Sequence, residues 1–189
     1  KMSGREVAVF IDGSAIAAHR HQVKQQPDFQ RIVGVIEEEL NARVVETRFY
    51  ALETREGSQG LWQFWEALER MGINLIRVAS YKRELTCRRC ECPNEAEFNV
   101  APWRMTDDIL RGAVENRYDM AAVVSGRLNA ATVVQAATRM DHPSYGGFWQ
   151  RSRLNEGLDK VLKDRFVNLD DFNVYRNHHN RRLERRGEW

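Results

Sequence analysis

Three acidic residues stand where a folded chain could gather them into one site. Asp12 follows the apolar run at 7–11, and the adjacent Asp107 and Asp108 precede the apolar run Met120–Val124. Carboxylates that converge repel one another unless a cation lies between them. Hard oxygen ligands suit Mg²⁺ or Mn²⁺, which can position a water for in-line attack on a phosphodiester. The pattern therefore predicts that Asp12, Asp107 and Asp108 hold Mg²⁺ or Mn²⁺ and act together in phosphodiester hydrolysis.

The same three residues also have ordinary structural roles. An Asp-Gly pair after a strand often only forms a turn. Asp107 and Asp108 would be favourable in the first turn of any helix, because carboxylates there complement the helix dipole. From the residue pattern alone, the metal site and these simpler roles both remain open.

Polar and basic residues near these acids predict contacts with phosphate. Ser14 follows the first acidic turn, and Arg127 and Asn129 follow the run Met120–Val124, so all three are candidates to position phosphate or water. A guanidinium can hold a phosphate through two parallel hydrogen bonds. A second basic group, a candidate for contacts with a nucleic-acid backbone, comprises Lys82, Arg83, Arg88 and Arg89.

All three cysteines lie within one short segment. Cys87 and Cys90 have the two-residue gap common in structural zinc sites, and Cys92 follows closely. A tetrahedral Zn²⁺ site needs a fourth ligand, for which Glu91, His142 or another subunit are candidates. The alternative is free thiols in a loop. Three cysteines so close together argue against a disulfide framework, which favours a reducing compartment.

These candidate residues require a scaffold of alternating strands and helices. Strands that alternate with helices predict a mostly parallel sheet covered on both faces, with ligands bound beyond the carboxyl ends of the strands. The predicted strands are 7–11, 43–52, Asn74–Ala79, Met120–Val124, 145–149 and 166–169; the predicted helices begin near 28, 60, 106, 129 and 154, with Thr106 as a helix N-cap.

The chain is interpreted as one α/β domain over residues 1–175, with a Cys-containing insertion at 81–103 where no periodic pattern holds. The Arg-rich stretch 176–189 is either a solvated tail or an electrostatic arm that helps capture RNA. His19 and His21, just after the first acidic turn, are interpreted as surface residues, with proton transfer at the groove as the alternative. The tryptophans are interpreted mostly as packing or interface residues rather than as stacking platforms for bases.

Composition narrows the class of protein. The 189 residues are 42% hydrophobic and 30% charged, with a formal net charge of +2, as in ordinary globular proteins. No apolar run approaches the roughly 20 residues that cross a bilayer. The first ten residues lack the order of a signal peptide. We therefore expect a cytoplasmic protein without a membrane segment.

Four segments, in the same order along the chain, resemble NYN domains. They are VAVFIDGSAI at 7–16, INLIRVASYKREL at 73–85, TDDILRGAVENRYDMAAVVSG at 106–126 and DRFVNLDDF at 164–172. NYN domains are a PIN-like ribonuclease branch that includes the bacterial LabA-like proteins. The resemblance implies a three-layer PIN-like fold, RNA as partner, and a metal-dependent ribonuclease in which Asp12 and the Asp107/Asp108 pair hold the ion.

The sequence departs from the NYN pattern at the site itself. The family commonly has SGDGDF after its fourth strand, whereas this chain has SGRLNA, so Arg127 and Asn129 replace acids. Ala15 replaces the usual Asn. The alternative function is thus an inactive pseudonuclease that acts as an RNA-binding or protein-interaction module, and a homo-oligomer or protein partner stays open. A nucleotide-binding or receiver-like domain is a third option, although no glycine-rich phosphate loop is present.

Overall fold

The computed structural model describes residues 4–53, 59–86 and 89–176. Strands and helices alternate along most of this chain, which confirms the predicted α/β fold with a mostly parallel sheet. The elements are β1 (Arg5–Asp12), α1 (Gly13–Val23), α2 (Phe29–Leu40), β2 (Ala42–Glu53), α3 (Gln59–Arg70), β3 (Asn74–Ala79), β4 (Tyr81–Thr86), β5 (Pro93–Phe98), α4 (Ala101–Val114), β6 (Met120–Val124), α5 (Leu128–Arg139), β7 (Ser144–Phe148), α6 (Leu158–Leu162) and β8 (Phe166–Asn168).

Six strands form the main sheet in the order β3-β2-β1-β6-β7-β8, and every pairing in it is parallel. The chain leaves β1 toward β2 on one side, and it leaves β6 toward β7 on the other. Neighbouring strands whose connections diverge leave a crevice between their carboxyl ends, and this is where open α/β sheets bind ligands. The topology therefore puts the crevice between β1 and β6.

The core consists of two apolar layers, one on each face of the sheet. Because side chains alternate along a strand, Val7, Val9 and Ile11 face one layer while Ala8 and Phe10 face the other. The first layer is covered by α1, α2 and α3, and the second by α4, α5 and α6. Helices on both faces give the three-layer architecture that the resemblance implied.

Helix α1 was not predicted. It carries few large apolar residues, so its sequence has little helical periodicity. Its N-cap is Asp12, whose carboxylate accepts hydrogen bonds from the backbone N–H groups of Ser14 and Ala15. It ends at Lys24, which adopts a left-handed conformation. Asp12 thus ends a strand and starts a helix at the same point.

The predicted insertion at 81–103 is in part a β-hairpin. Strands β4 and β5 pair antiparallel in a two-stranded sheet that is separate from the main one. The expectation that α4 begins at Thr106 is wrong, because this helix begins at Ala101 with Pro102 in its first turn. The Thr106 hydroxyl instead donates to the Pro102 carbonyl within the helix. Asp107 and Asp108 consequently lie in the second turn, away from the helix terminus.

Two glycines give a prediction about this scaffold. A Cβ on Gly126, in the loop after β6, would lie 2.4 Å from the Phe148 ring and 2.5 Å from the Leu154 carbonyl oxygen. We expect Gly126→Ala to lower the free energy of unfolding by about 1–3 kcal/mol, because the neighbours are close-packed. Gly34→Ala is the matched control, since its Cβ has open space inside α2 and should stabilise by roughly 0.5–1 kcal/mol. Urea unfolding of both variants measures the difference, and equal effects would contradict it.

Over the described ranges, every helix is too short or too polar to cross a bilayer.

Candidate functional site

The crevice between β1 and β6 is bordered by two short loops. One is the Asp12-Gly13-Ser14 turn after β1, and the other is Ser125-Gly126-Arg127 after β6. Gly13 is required for close packing, because a Cβ there would lie 2.4 Å from the Tyr50 carbonyl oxygen. This contact packs the first loop against β2, and hydrogen bonds from Ser125 to Asp12 and from Arg127 to Ser14 join the two loops.

Asp12 is buried at the floor of the crevice, with 2% of its surface exposed. One carboxylate oxygen, Oδ1, accepts from the Ser14 hydroxyl at 2.6 Å and from the backbone N–H groups of Ser14 and Ala15 at 3.0 and 3.2 Å. The other, Oδ2, accepts from the Ser125 hydroxyl at 3.0 Å and lies 3.4 Å from Nε of Arg127. Both oxygens are therefore already bound by protein donors.

Arg127 spans the two loops. Its Nη2 donates to the Ser14 hydroxyl oxygen at 3.2 Å, and its backbone N–H donates to the Ser125 hydroxyl oxygen at 3.2 Å. Its side chain is 43% exposed, so the outer edge of the guanidinium faces solvent. Glu156 lies nearby and accepts from the Leu128 N–H at the start of α5. The cation thus lies directly against Asp12, above the floor of the crevice.

Asp108 projects from α4 toward the sheet and is also buried. Its Oδ2 accepts from the Tyr50 hydroxyl at 2.9 Å and lies 3.3 Å from Nη1 of Arg48 and 3.4 Å from Nε of Arg104. Burial, reinforced by the Asp108 carboxylate, raises the pKa of the Tyr50 phenol, which therefore remains a donor. Burial lowers the pKa of Arg48, but the hydrogen bond and charge of Glu46 raise it overall. Asp108 is thus the centre of a buried polar network.

Asp107 is separated from the other two acids. It lies on the exposed side of α4, where Nη2 of Arg111 is 3.1 Å from its Oδ2. Consecutive helical residues point about 100° apart, so Asp107 and Asp108 cannot both face the sheet. The structure brings Asp12 and Asp108 to the carboxyl edge of neighbouring strands and leaves Asp107 outside.

These donors do not fit one shared divalent ion as predicted. In the ranges that the structure describes, no three His, Cys, Asp or Glu side chains are placed to hold a metal. Asp12 and Asp108 each already contact arginine, and a guanidinium beside a carboxylate repels a divalent cation. The chemistry that the arrangement offers is a floor of neutralised carboxylates beneath the half-exposed Arg104 and Arg127.

The remaining predicted phosphate ligands have different surroundings. Asn129 is exposed in the first turn of α5, and Arg89 is exposed in the turn of the β4–β5 hairpin. Lys82 and Arg83 belong to β4, but their side chains lie outside the described part of the chain, as does Arg88. Of the predicted phosphate ligands, Ser14 and Arg127 contact each other at the crevice, and the phosphate-binding role of every one of them stays a prediction.

The cysteine segment differs from expectation. Cys90 and Cys92 are joined by a disulfide with their Cα atoms 5.3 Å apart, although the sequence argued against a disulfide framework. The reason is that Glu91 adopts a positive φ of 54°, which turns the chain tightly enough to bring its neighbours together. Cys87 lies outside the described residues. Zinc binding, which needs free thiolates, stays a prediction for the reduced segment.

Several residues of the site were not predicted from the sequence. Arg104 precedes Asp108 by four residues, which is the spacing of ion pairs on a helix. A prediction that began α4 at Ala101 would have identified this pair. Arg48 and Tyr50 come from β2, and no sequence pattern links them to Asp108. Trp103, one of the tryptophans interpreted as packing or interface residues, is 76% exposed beside Arg104 and so does not pack in the core.

Comparison with known proteins agrees with this architecture. The NYN domain family matches residues 6–148, which is most of the chain. A structure of a protein of unknown function from Vibrio parahaemolyticus has a TM-score of 0.64 at 16% identity, with 90% of this chain and 96% of that chain covered. This likeness shows the fold alone.

A structure of S. aureus homoserine dehydrogenase at pH 7.0 has a TM-score of 0.37 at 8% identity, and the aligned region covers 87% of this chain and 32% of that chain. No curated protein matches the chain. The order of the strands, the crevice between β1 and β6 and the family match lead to one conclusion. The chain belongs to the NYN domain family and has its PIN-like, nuclease-type fold.

Proposed function

We propose that this NYN domain binds RNA at the β1/β6 crevice without requiring a divalent ion. One observation carries the proposal: Arg127 contacts both Asp12 and Ser14, and so occupies the position beside the carboxylate where a cation would act. The function is thus that of a pseudonuclease that retains the ligand crevice. Its ligand is the phosphodiester backbone of RNA.

Two exposed guanidinium groups at the crevice support phosphate binding. A guanidinium has five N–H donors, and the contacts to Asp12 and Ser14 occupy one side of Arg127. Arg104 is likewise 55% exposed while its Nε approaches the buried Asp108. An approaching phosphate therefore meets guanidinium groups first, and the acids lie beneath them. Planar, bidentate donors of this kind suit phosphate oxygens.

An exposed aromatic supports RNA in particular. Trp103 is 76% exposed in the first turn of α4, directly before Arg104. Leaving a large apolar ring in water is unfavourable, and base stacking on such rings is a common way to bind unpaired nucleotides. A base stacked on Trp103 would have its phosphate within reach of Arg104.

Metal-dependent hydrolysis of RNA is the second candidate function. It is supported by membership of the NYN family and by the two carboxylates, Asp12 and Asp108, at the crevice. In this alternative Mg²⁺ or Mn²⁺ would have to displace Arg127 from Asp12. The two candidates differ in whether a chelator abolishes the effect on RNA.

We expect labelled single-stranded RNA to bind equally well in Mg²⁺ and in EDTA, and to remain intact. Arg127→Gln should weaken binding about tenfold and reduce the slope of log K against log salt by roughly 0.7, because one phosphate contact is lost. Fluorescence anisotropy across a salt series measures both quantities. Arg139→Gln, an exposed cation at the far end of α5, is the matched control and should change neither.

Two outcomes would overturn the proposal. RNA cleavage by the unmodified protein that EDTA abolishes would support the second candidate instead. A failure to bind RNA at low salt, or equal losses in Arg127→Gln and Arg139→Gln, would remove the crevice as a phosphate site.

A further inference from the structure

A second basic concavity lies on the outer face of α1. Its volume is about 430 Å³, and its basic lining residues are Arg20, His21, Lys24 and Arg176. We call it the α1 pocket. Arg20 and His21 belong to the last turn of α1, and Lys24 ends the helix, so their side chains share one side. Neither the acidic site nor the predicted phosphate ligands include this surface.

Arg176 is far from α1 in the sequence, but backbone contacts hold it beside the pocket. Tyr175 forms an antiparallel bridge with Pro27, and the Arg176 N–H donates to the Gln26 carbonyl at 2.9 Å. The Tyr175 hydroxyl also lies 2.8 Å from Nε2 of the buried His19. His19 was expected on the surface, but it is 2% exposed and stacks on Trp149. The backbone of Arg176 is therefore held in place opposite α1.

The dipole of α1 accounts for only some of the basic residues at the pocket. Arg20 and His21 are favourable at the C-terminal end of α1, because cations there complement the helix dipole. Arg176 belongs to no helix and gains nothing from this effect. Within the described residues, Arg20, Lys24 and Arg176 form no ion pair. Three exposed cations held around a concavity without described acids make a field that attracts anions.

We propose that the α1 pocket is a second phosphate-binding site, which holds the backbone of the same RNA strand that the crevice binds. The inference rests on the proposed function, because the crevice supplies the first contact. Arg20 and Lys24 lie six and ten residues beyond Ser14, or roughly 9–15 Å along α1. A flexible single strand several nucleotides long can cover that distance. The ligand class is therefore single-stranded RNA that extends beyond the crevice.

The test compares two triple variants that remove the same charge. The first variant, Arg20→Gln/Lys24→Gln/Arg176→Gln, removes the three permanent positive charges that line the α1 pocket. The control, Arg70→Gln/Arg117→Gln/Arg139→Gln, removes three exposed arginines at the ends of α3, α4 and α5, near the amino edge of the sheet. Both sets are exposed, so neither should change the thermal midpoint appreciably.

Binding is measured by anisotropy with single-stranded RNA of 12 and of 2 nucleotides, each across a salt series. For the 12-mer, we expect the pocket variant to lose about 10- to 100-fold in affinity and its salt slope to fall by roughly two, since three phosphate contacts disappear. The 2-mer has a single phosphodiester, so it cannot occupy both sites at once and should lose little affinity. The control variant should bind both RNAs nearly as the unmodified protein does.

The outcomes separate this inference from the proposed function. Unchanged 12-mer binding and salt slope in the pocket variant, with weakened binding in Arg127→Gln, would overturn the α1 pocket and leave the crevice intact. Loss in the pocket variant with no loss in Arg127→Gln would overturn the crevice as the primary site. Equal losses in the pocket and control variants would mean that net charge alone attracts the RNA, which also overturns the inference.

Discussion

Asp108→Ala is expected to lower the free energy of unfolding by about 3–5 kcal/mol. Asp108 is 4% exposed and accepts a hydrogen bond from Tyr50 while it faces Arg48 and Arg104. Removing the carboxylate leaves the Tyr50 hydroxyl without its partner and leaves Arg48, whose side chain is 13% exposed, with less compensation. Thermal or urea unfolding measures the loss.

The sign of this effect tests whether the charge of Asp108 is compensated by its neighbours. Carboxylates gathered to bind a metal repel one another, so removing one usually stabilises the protein at the expense of activity. Here each buried carboxylate is instead paired with arginine. Asp107→Ala is a matched control on the next residue, and its exposed pair with Arg111 should contribute at most about 1 kcal/mol. An Asp108→Ala variant as stable as the unmodified protein would contradict the buried network.

The second large effect is a loss of stability in acid that depends on His19. Burial lowers the pKa of His19 to about 4, although the charge of Asp170 acts in the opposite direction. The unfolded chain binds a proton at this residue near pH 6.5, while the folded protein does so only near pH 4. The free energy of unfolding should therefore fall as the pH decreases from 6.5 to 4, by about 3 kcal/mol in total.

Urea unfolding at pH 7 and pH 4.5 isolates this contribution. His19→Gln cannot titrate, so it should lose about 2–3 kcal/mol less than the unmodified protein over this interval. His21→Gln changes an exposed histidine two residues away and should retain the full pH dependence. Burial also lowers the pKa of His142, which contributes with the same sign in all three proteins. Parallel pH profiles for His19→Gln and the unmodified protein would contradict the assignment.

The sheet was predictable because its signal is local. The runs at β3 and β6 were predicted with the bounds that the structure has. β6 is buried along its whole length and is continuously apolar, whereas β3 lies at the edge of the sheet, is only partly buried and includes Arg77. The predictions of helices were wrong where the local sequence pattern is weak or fits more than one structure. Helix α1 packs with small residues and so lacks an apolar stripe. The first turn of α4 contains Pro102, which is unfavourable inside a helix but tolerated in the first turn, so the sequence predicted a loop there instead.

The sequence by itself determined the family, through four segments that resemble NYN domains, and the parallel sheet, through the alternation of strands and helices. It also determined that Asp12, Ser14 and Arg127 lie at the carboxyl edge of the sheet, because these residues follow apolar runs that define strand ends. Only the tertiary structure decided what these residues contact. Ion pairing depends on distances of 3–4 Å between segments far apart in the chain, as between Asp108 and Arg48 or Asp12 and Arg127. The one-residue step from Asp107 to Asp108, which separates surface from core, depends on where α4 begins and on which of its sides packs against the sheet.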